Sequence, residues 1–134
     1  MKRLFAVLLC ALLLCSFALA ESSSYKTDQL TRLANSISGL GTEDITMYCA
    51  YIADPDALVF TVTDTTIGRN DWASYPSDLK DTHRTGVLTL TGQIIDAVEA
   101  FGFSETRVIS IFRINDSSAQ YIFIDGIDLA EYSR

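Results

Sequence analysis

The residues best suited to chemistry lie in one polar segment near the middle of the chain. His83, the only histidine, is close in sequence to Asp78 and Asp81. A hydrolase needs a base, a carboxylate that orients it and a nucleophile, and Ser74 or Ser77 would supply the nucleophile. Neither serine lies in a Gly-x-Ser-x-Gly sequence. The segment therefore offers a small hydrolase as an alternative hypothesis, and a solvated segment is the simpler interpretation.

A metal site is the second chemistry that this segment suggests. Four carboxylates could converge there if it folds as a loop: Asp64, Asp71, Asp78 and Asp81. Calcium needs several oxygens from a shaped loop, whereas zinc prefers Cys and His ligands. Beyond residue 20 the chain has only Cys49 and His83 of those two types, and no spacing matches a ligand motif. The sequence thus predicts no metal and no cofactor, and metal-assisted catalysis remains part of the hydrolase alternative.

The same segment also carries side chains that suit recognition of a partner. Residues 64–85 show neither a helical nor a strand period, which predicts a long loop, and loops of that length are often functional. Its aromatic and basic residues are the candidate binding residues: Trp72, Tyr75, His83 and Arg84.

The N-terminus has the three-part order of a secretory signal peptide. Lys2 and Arg3 precede an apolar run over Leu4–Leu14, and Ala18-Leu19-Ala20 forms a small-x-small cleavage signal. The apolar run is too short for a spanning helix, which needs about 20 residues. We therefore predict cleavage after Ala20, a secreted or periplasmic protein, a flexible segment over 21–26 and a single domain over 27–134.

Charge and cysteine content narrow the functions of the exported chain. Beyond residue 20 it has 8 basic and 17 acidic residues, a net charge of −9. That charge disfavours nucleic acid and anionic membrane surfaces, so neither is expected as a partner. Cys49 lies in an apolar strand pattern, which indicates a buried side chain. Asn115-Asp116-Ser117 is a glycosylation sequon on a predicted turn, relevant only in a eukaryotic secretory pathway.

Hydrophobic periodicity predicts two helices and four strands. One helix has an apolar face at Leu30, Leu33, Ala34 and Ile37. A second begins near Thr85 and ends at Gly102. The strands cover Ile45–Ala53, Leu58–Thr63, Thr106–Ile114 and Gln120–Asp125, and Leu129–Tyr132 suggests a last helical turn.

The order of these elements predicts an α+β domain. An α-β-β-α-β-β chain can form a two-layer sandwich, with a four-stranded antiparallel sheet and both helices on one face. That arrangement resembles a circular permutation of the ferredoxin-like sandwich. A resemblance of topology implies no function.

The strands are apolar on both faces, which a two-layer sandwich does not require. The long loop, a second copy of the chain or a partner protein would have to cover the face away from the helices, because monomers rarely expose a large apolar patch. The sequence therefore favours a secreted, non-catalytic interaction or binding module, which would either self-associate through the open sheet face or display the Trp72–Arg84 loop to a protein partner. The alternative is a small secreted hydrolase or metal-assisted enzyme built on Asp78, Asp81 and His83.

Overall fold

A computed structural model describes residues 24–115 and 118–132 of the 134-residue chain. The predicted signal peptide over residues 1–20 lies outside the described residues, as do Asp116 and Ser117 of the sequon. Helix α1 covers 24–38, so the segment predicted as flexible over 21–26 is already helical at residue 24. The other elements are β1 (Ile45–Ile52), β2 (Ala57–Asp64), α2 (Arg69–Ala73), α3 (Ser77–Ala100), β3 (Arg107–Ile114), β4 (Ala119–Ile124), β5 (Ile127–Asp128) and α4 (Leu129–Tyr132).

The α+β class is confirmed, but the predicted sheet is wrong in two respects. The sheet has five strands in the order β1-β2-β3-β4-β5, and its central pair, β2 and β3, is parallel. The remaining neighbours are antiparallel. The architecture is therefore a mixed sheet, and the four-stranded antiparallel arrangement with a permuted ferredoxin-like topology does not match it.

The parallel pair is connected by α3, which is long enough to span the sheet. The helix has 24 residues and is about 36 Å long at 1.5 Å per residue, whereas an eight-residue strand spans about 26 Å. A helix of that length carries the chain from the end of β2 back to the end of the sheet where β2 began. Strand β3 then runs beside β2 in the same direction, with Ala57 opposite Arg107 and Asp64 opposite Ile114.

The long loop predicted over residues 64–85 is wrong, because most of it is helical. Helix α2 occupies Arg69–Ala73, and α3 begins at Ser77 instead of near Thr85. The first turns of α3 lack apolar periodicity because their polar side chains face solvent. Pro76 as the N-cap and Asp78 in the first turn favour a helix start there, since an acidic side chain stabilises the positive end of the helix dipole.

The fifth strand arises from a tight turn at Asp125-Gly126. Both residues have positive φ, 52° and 82°, as a type I′ hairpin turn requires. Ile124 then pairs with Ile127. The strand predicted over Gln120–Asp125 therefore ends at Ile124, and a short hairpin precedes α4, the helical turn predicted over Leu129–Tyr132.

The hydrophobic core lies on one face of the sheet, under the helices. Its helical members come from α1 (Leu30, Ala34, Ile37) and α3 (Val87, Ile94, Val98). Every strand residue in the core cluster projects from the same side of the sheet, including Cys49, Phe60, Phe112 and Phe123. We call this side the helix side. Helices α1 and α3 therefore pack against one face of the sheet, and Phe101, which directly follows α3, is 46% exposed.

A hydrogen-bonded pair of hydroxyls, Thr91 and Ser110, is fully buried between α3 and β3. The Thr91 hydroxyl donates to the Val87 carbonyl at 2.7 Å, and its oxygen lies 2.6 Å from the Ser110 hydroxyl. Because the Thr91 proton is engaged with Val87, Ser110 must donate to Thr91. The Ser110 hydroxyl is therefore satisfied only while Thr91 is present.

This geometry predicts an asymmetric double-mutant cycle. We expect Thr91→Val to lower the free energy of unfolding by about 1–3 kcal/mol, because it leaves the buried Ser110 hydroxyl without an acceptor. Ser110→Ala should cost less, about 0.5–1.5 kcal/mol, because Thr91 keeps its bond to Val87. The double variant should cost less than the sum of the two, measured by urea unfolding. Strictly additive costs would contradict the pairing.

The outer edge of β1 is covered by the end of α1 and the loop that follows it. The Cys49 amide donates to the Ser38 hydroxyl at 2.9 Å, and the Thr42 amide donates to the Ile45 carbonyl at 2.8 Å. A Cβ on Gly41 would lie 2.9 Å from the Met47 amide nitrogen, so only glycine allows this approach. These contacts engage backbone amide and carbonyl groups at the edge of β1 that would otherwise pair with another strand.

Candidate functional site

The aromatic residues predicted for binding come together, but they pack inwards. The Trp72 ring is 5.6 Å from the rings of both Tyr75 and His83, and 5.7 Å from that of Phe112 on β3. Trp72 is only 8% exposed. Its neighbours also include Tyr121 on β4. The structure therefore places Trp72 and Tyr75 in a cluster that fastens α2 and α3 to the sheet, instead of displaying them on a loop.

Arg84, the fourth candidate, lies on the same side of α3 but away from Trp72. Its guanidinium lies 5.3 Å from the Phe123 ring centroid and 3.4 Å from a carboxylate oxygen of Asp128. These contacts connect α3 to β4 and β5. Of the four candidate residues, Trp72, Tyr75 and His83 contact one another.

His83 pairs with a carboxylate from the end of β2. Its Nε2 lies 3.4 Å from Oδ2 of Asp64, and its Nδ1 lies 2.7 Å from the Leu79 carbonyl oxygen. Because a carbonyl can only accept, Nδ1 must carry a proton. When the ring is protonated on Nε2 as well, Nε2 can donate to Oδ2 of Asp64 and the contact is an ion pair. Asp64 is 6% exposed, and its other oxygen accepts the Thr66 amide at 2.9 Å and the Thr66 hydroxyl at 2.6 Å.

The residues of the hydrolase alternative are not assembled around His83. No ion pair joins His83 to Asp78 or Asp81 in the described part of the chain, and both aspartates line a shallow depression on the outer side of α3. The Ser74 hydroxyl donates to the Asp71 carbonyl at 3.0 Å. In a catalytic triad one ring nitrogen faces the carboxylate and the other faces the nucleophile. Here the second nitrogen is bonded to the Leu79 carbonyl.

Asp64 is the functional candidate that the loop prediction misplaced. The sequence groups it with three other carboxylates of a supposed loop, whereas it is the last residue of β2. A sequence signal for this position exists, because Leu58, Phe60, Val62 and Asp64 alternate along the strand and share its buried face. A carboxylate at a core-facing strand position is uncommon unless it has polar partners.

Two small apolar cavities adjoin this pair on the helix side. The first, about 240 Å³, has Asp64 and His83 at one end and walls that include Ile45, Val62 and Phe112. The second, about 170 Å³, lies between α1 and α3. Met47 and Leu90 line both cavities. The first cavity therefore has a single carboxylate–imidazole pair in an otherwise largely apolar lining.

A separate polar network lies at the opposite end of β2, around Asp56. One Asp56 oxygen accepts the Tyr51 hydroxyl at 2.8 Å and the Thr106 hydroxyl at 3.0 Å, and the other accepts Lys26 Nζ at 2.7 Å. Lys26 also reaches Glu105 at 2.6 Å. Desolvation alone would raise the pKa of Asp56, but these donors outweigh it and the pKa is lowered. The network ties α1, the β1–β2 turn and β3 together.

Cys49 is buried, and its surroundings make the thiol unreactive. Its side chain belongs to the core cluster, and burial raises the pKa of the thiol to about 12, despite a backbone hydrogen bond from Ala50 that lowers it. The nucleophilic thiolate is therefore disfavoured at neutral pH. This agrees with the buried position expected from the strand pattern.

The other side of the sheet, which we call the open face, is apolar at its centre. Two rows of paired residues cross it: Ala50, Val59, Ile109 and Ile124 in one, and Tyr48, Thr61, Ile111 and Ile122 in the other. None of them belongs to the core cluster under the described helices. Tyr48 is 66% exposed and Ile52, on the same face, is 43% exposed.

Metal-binding and membrane-spanning features are absent from residues 24–115 and 118–132. No group of three or more Asp, Glu, His or Cys side chains in these ranges is arranged to hold a metal ion. Nor does any helix within them combine the length and apolar character needed to cross a bilayer.

Comparisons of the chain with family models, with curated proteins and with solved structures find no match. The arrangement of its own side chains therefore carries the functional inference.

Proposed function

We propose that the protein is exported and that its domain is a non-catalytic binding module, which pairs with a second copy of itself through the open face. The observation that carries this proposal is the apolar centre of the open face, whose residues take no part in the core. Two such faces can pack against each other as the two sheets of a β-sandwich do, with interdigitating side chains about 10 Å apart.

The size of the open face suits a dimer. Strands of eight residues are about 26 Å long, and four strands about 4.8 Å apart span about 19 Å. The projected area is about 500 Å², so two copies would bury about 1,000 Å² in total. That value reaches the lower limit expected for a specific interface.

The distribution of charge also favours a second copy. No open-face position on β1, β2, β3 or β4 carries Asp or Glu, although the exported chain has 17 acidic residues. The charged residues there are Arg107 and Arg113, at opposite ends of β3. Two acidic molecules could approach through this face with the least repulsion.

Face-to-face pairing fits the described structure better than edge-to-edge pairing. Ser38, Gly41 and Thr42 already cover the edge of β1, and at the other edge β5 has only two residues. A short or covered edge gives little template for adding a strand.

The hydrolase alternative lacks a supporting observation of this kind. Its base, His83, has Nδ1 bonded to a main-chain carbonyl and Nε2 facing Asp64. Neither nitrogen is therefore directed at a serine, and the binding module is the better supported of the two functions.

Sedimentation equilibrium of the exported chain tests self-association. We expect monomer and dimer to coexist at chain concentrations between about 1 and 100 µM, as is typical of a small interface. Ile111→Lys should shift it to monomer, because the charge would be buried at the centre of the interface. Tyr48→Ser, a milder change on an exposed residue, should weaken dimerisation without threatening the fold.

The matched control is Phe101→Lys, which places the same charge on an exposed apolar residue at the end of α3. It should leave the equilibrium unchanged. A wild-type chain that stays monomeric at about 100 µM, or an Ile111→Lys chain that dimerises as well as wild type, would overturn the proposal. A monomer that binds an apolar dye would instead indicate a different partner for this face.

A further inference from the structure

We infer that each copy in the dimer packs a ridge of isoleucines on its open face into a trough of small side chains on the open face of the other. The two-fold axis then runs nearly along the strands, between β2 and β3. This arrangement rests on the proposed function, in which a second copy occupies the open face, and it specifies which residues of the two copies face each other.

The isoleucine ridge lies over β3 and β4. Ile111 is opposite Ile122, and Ile109 is opposite Ile124, in the antiparallel pairing of these strands. All four project from the open face, because side chains alternate along a strand and the residues between them on β3 are buried on the helix side. Four equally large side chains on two neighbouring strands form a raised patch.

The trough lies over β2 and the adjoining part of β1. The open-face residues of β2 are all smaller than isoleucine: Ala57, Val59, Thr61 and Thr63. Ala50 on β1, opposite Val59, extends this low region. Tyr48, which is opposite Thr61 and 66% exposed, bounds the trough on its outer side. One half of the open face is therefore lower than the other.

The difference in height between the two halves favours one of two symmetric arrangements. If the two-fold axis ran across the strands, ridge would meet ridge, and the low halves would be held apart around unfilled space, where apolar atoms lose contacts. If the axis runs along the strands, ridge meets trough, and large side chains face small ones, as dense packing requires. The two sheets then stay about 10 Å apart over the whole interface.

The axis along the strands determines which residues face each other. It places β3 of one copy over β2 of the other, and β4 over β1. Ile111 of one copy then faces Thr61 of the other, because the two residues lie in the same row on either side of the axis. Ile124 likewise faces Ala50, since these residues end the other row. A two-fold interface contains each of these contacts twice.

Complementary changes of side-chain size in two chains test this arrangement. Thr61→Phe fills the trough, and Ile111→Ala lowers the ridge at the position that faces it. Each variant alone should dimerise at least about tenfold more weakly than wild type, because its homodimer contains the clash or the void twice. In a mixture, the heterodimer joins the enlarged side chain to the shortened one and keeps one wild-type contact. We expect its affinity to exceed the geometric mean of the two homodimers by at least about tenfold.

A second complementary pair is Ala50→Phe with Ile124→Ala, and the crossed mixtures are the matched controls. Thr61→Phe with Ile124→Ala, and Ala50→Phe with Ile111→Ala, combine the same kinds of substitution at positions that do not face each other. Their heterodimers should be no tighter than the geometric mean of the corresponding homodimers. Native mass spectrometry resolves the three dimers of each mixture, because the two substitutions change the mass of the chain in opposite directions. Circular dichroism identifies any variant that fails to fold, and the other pair then supplies the result.

Recovery in the facing pairs alone would support the ridge-into-trough arrangement. Equal recovery in facing and crossed mixtures, or no recovery in any mixture of folded chains, would overturn it. Either of those results would leave the proposed function standing as long as the wild-type chain dimerises and Ile111→Lys does not. A wild-type chain that is monomeric at about 100 µM would overturn both.

Discussion

Trp72→Ala is expected to lower the free energy of unfolding by about 3–5 kcal/mol, a large fraction of the total stability of a small domain. The indole, which lies in α2, is 8% exposed and contacts rings from the α2–α3 link, α3, β3 and β4. Removing it leaves a large cavity at the point where α2 and α3 join the sheet. Lys80, whose Nζ lies 5.5 Å from the ring centroid, would lose its cation–π contact as well.

Urea unfolding followed by circular dichroism measures this loss. Trp72→Phe should recover most of the stability because it refills much of the cavity. Phe101→Ala is the control for deleting an aromatic ring, and it should cost no more than about 1 kcal/mol, since Phe101 is 46% exposed. If Trp72→Ala unfolded at the wild-type urea concentration, the ring would not be packed as described, and its predicted role as a displayed binding residue would regain support.

Trp72 illustrates which parts of the fold hydrophobic periodicity reveals and which it does not. Strands β1 to β4 are predicted within one or two residues of their observed ends, because β-branched and aromatic residues alternate along them. The apolar face of α1 is predicted as well, since apolar residues recur every three or four positions. The first turns of α3 carry no such period. Packing of α2 and helical hydrogen bonds form that segment, so periodicity alone assigns it to a loop and Trp72 to the surface.

The predicted topology is wrong for a different reason. A parallel pair needs a connection that returns the chain to the start of β2, and α3 is that connection. A helix from Thr85 to Ala100 would be about 24 Å long, close to the length of β2, so helix length does not exclude a parallel neighbour and hydrophobic periodicity does not decide strand direction. The Asp125-Gly126 dipeptide is a hairpin signal, whereas apolar alternation extends the strand through Asp125.

The candidate site could be predicted only in part. His83 stands out in the sequence as a polar residue in an unusual context, but its carboxylate partner is not one of its neighbours in sequence. Asp64 lies nineteen positions away on a strand, and the approach of Nε2 to Oδ2 depends on where α3 crosses the sheet. Spacing in sequence does not contain that information. The apolar second face of the sheet, in contrast, follows directly from strand alternation.

Asp56→Ala is expected to lower the free energy of unfolding by about 2–4 kcal/mol. The substitution removes three hydrogen bonds to one half-buried carboxylate, including the charge-assisted bond from Lys26. It also forces alanine into a backbone conformation with φ of 62°, which asparagine and aspartate tolerate better. Asp56→Asn should therefore cost less, because it keeps that backbone preference and an acceptor for Tyr51 and Thr106.

The difference in the free energy of unfolding between wild type and Asp56→Asn should depend on pH in a defined direction. The pKa of Asp56 is lowered in the folded protein, so ionised Asp56 contributes stability that is present above its unfolded pKa, about 4, and is lost as pH falls through the folded value. Urea unfolding at about pH 7 should therefore show wild type more stable than Asp56→Asn, and the gap should narrow progressively below about pH 4. Asp96→Asn, which removes an exposed carboxylate from the interior of α3, is the control for the loss of one negative charge. A gap that stayed constant down to about pH 2.5 would mean that the Lys26–Asp56 pair does not stabilise the joint between α1, the β1–β2 turn and β3.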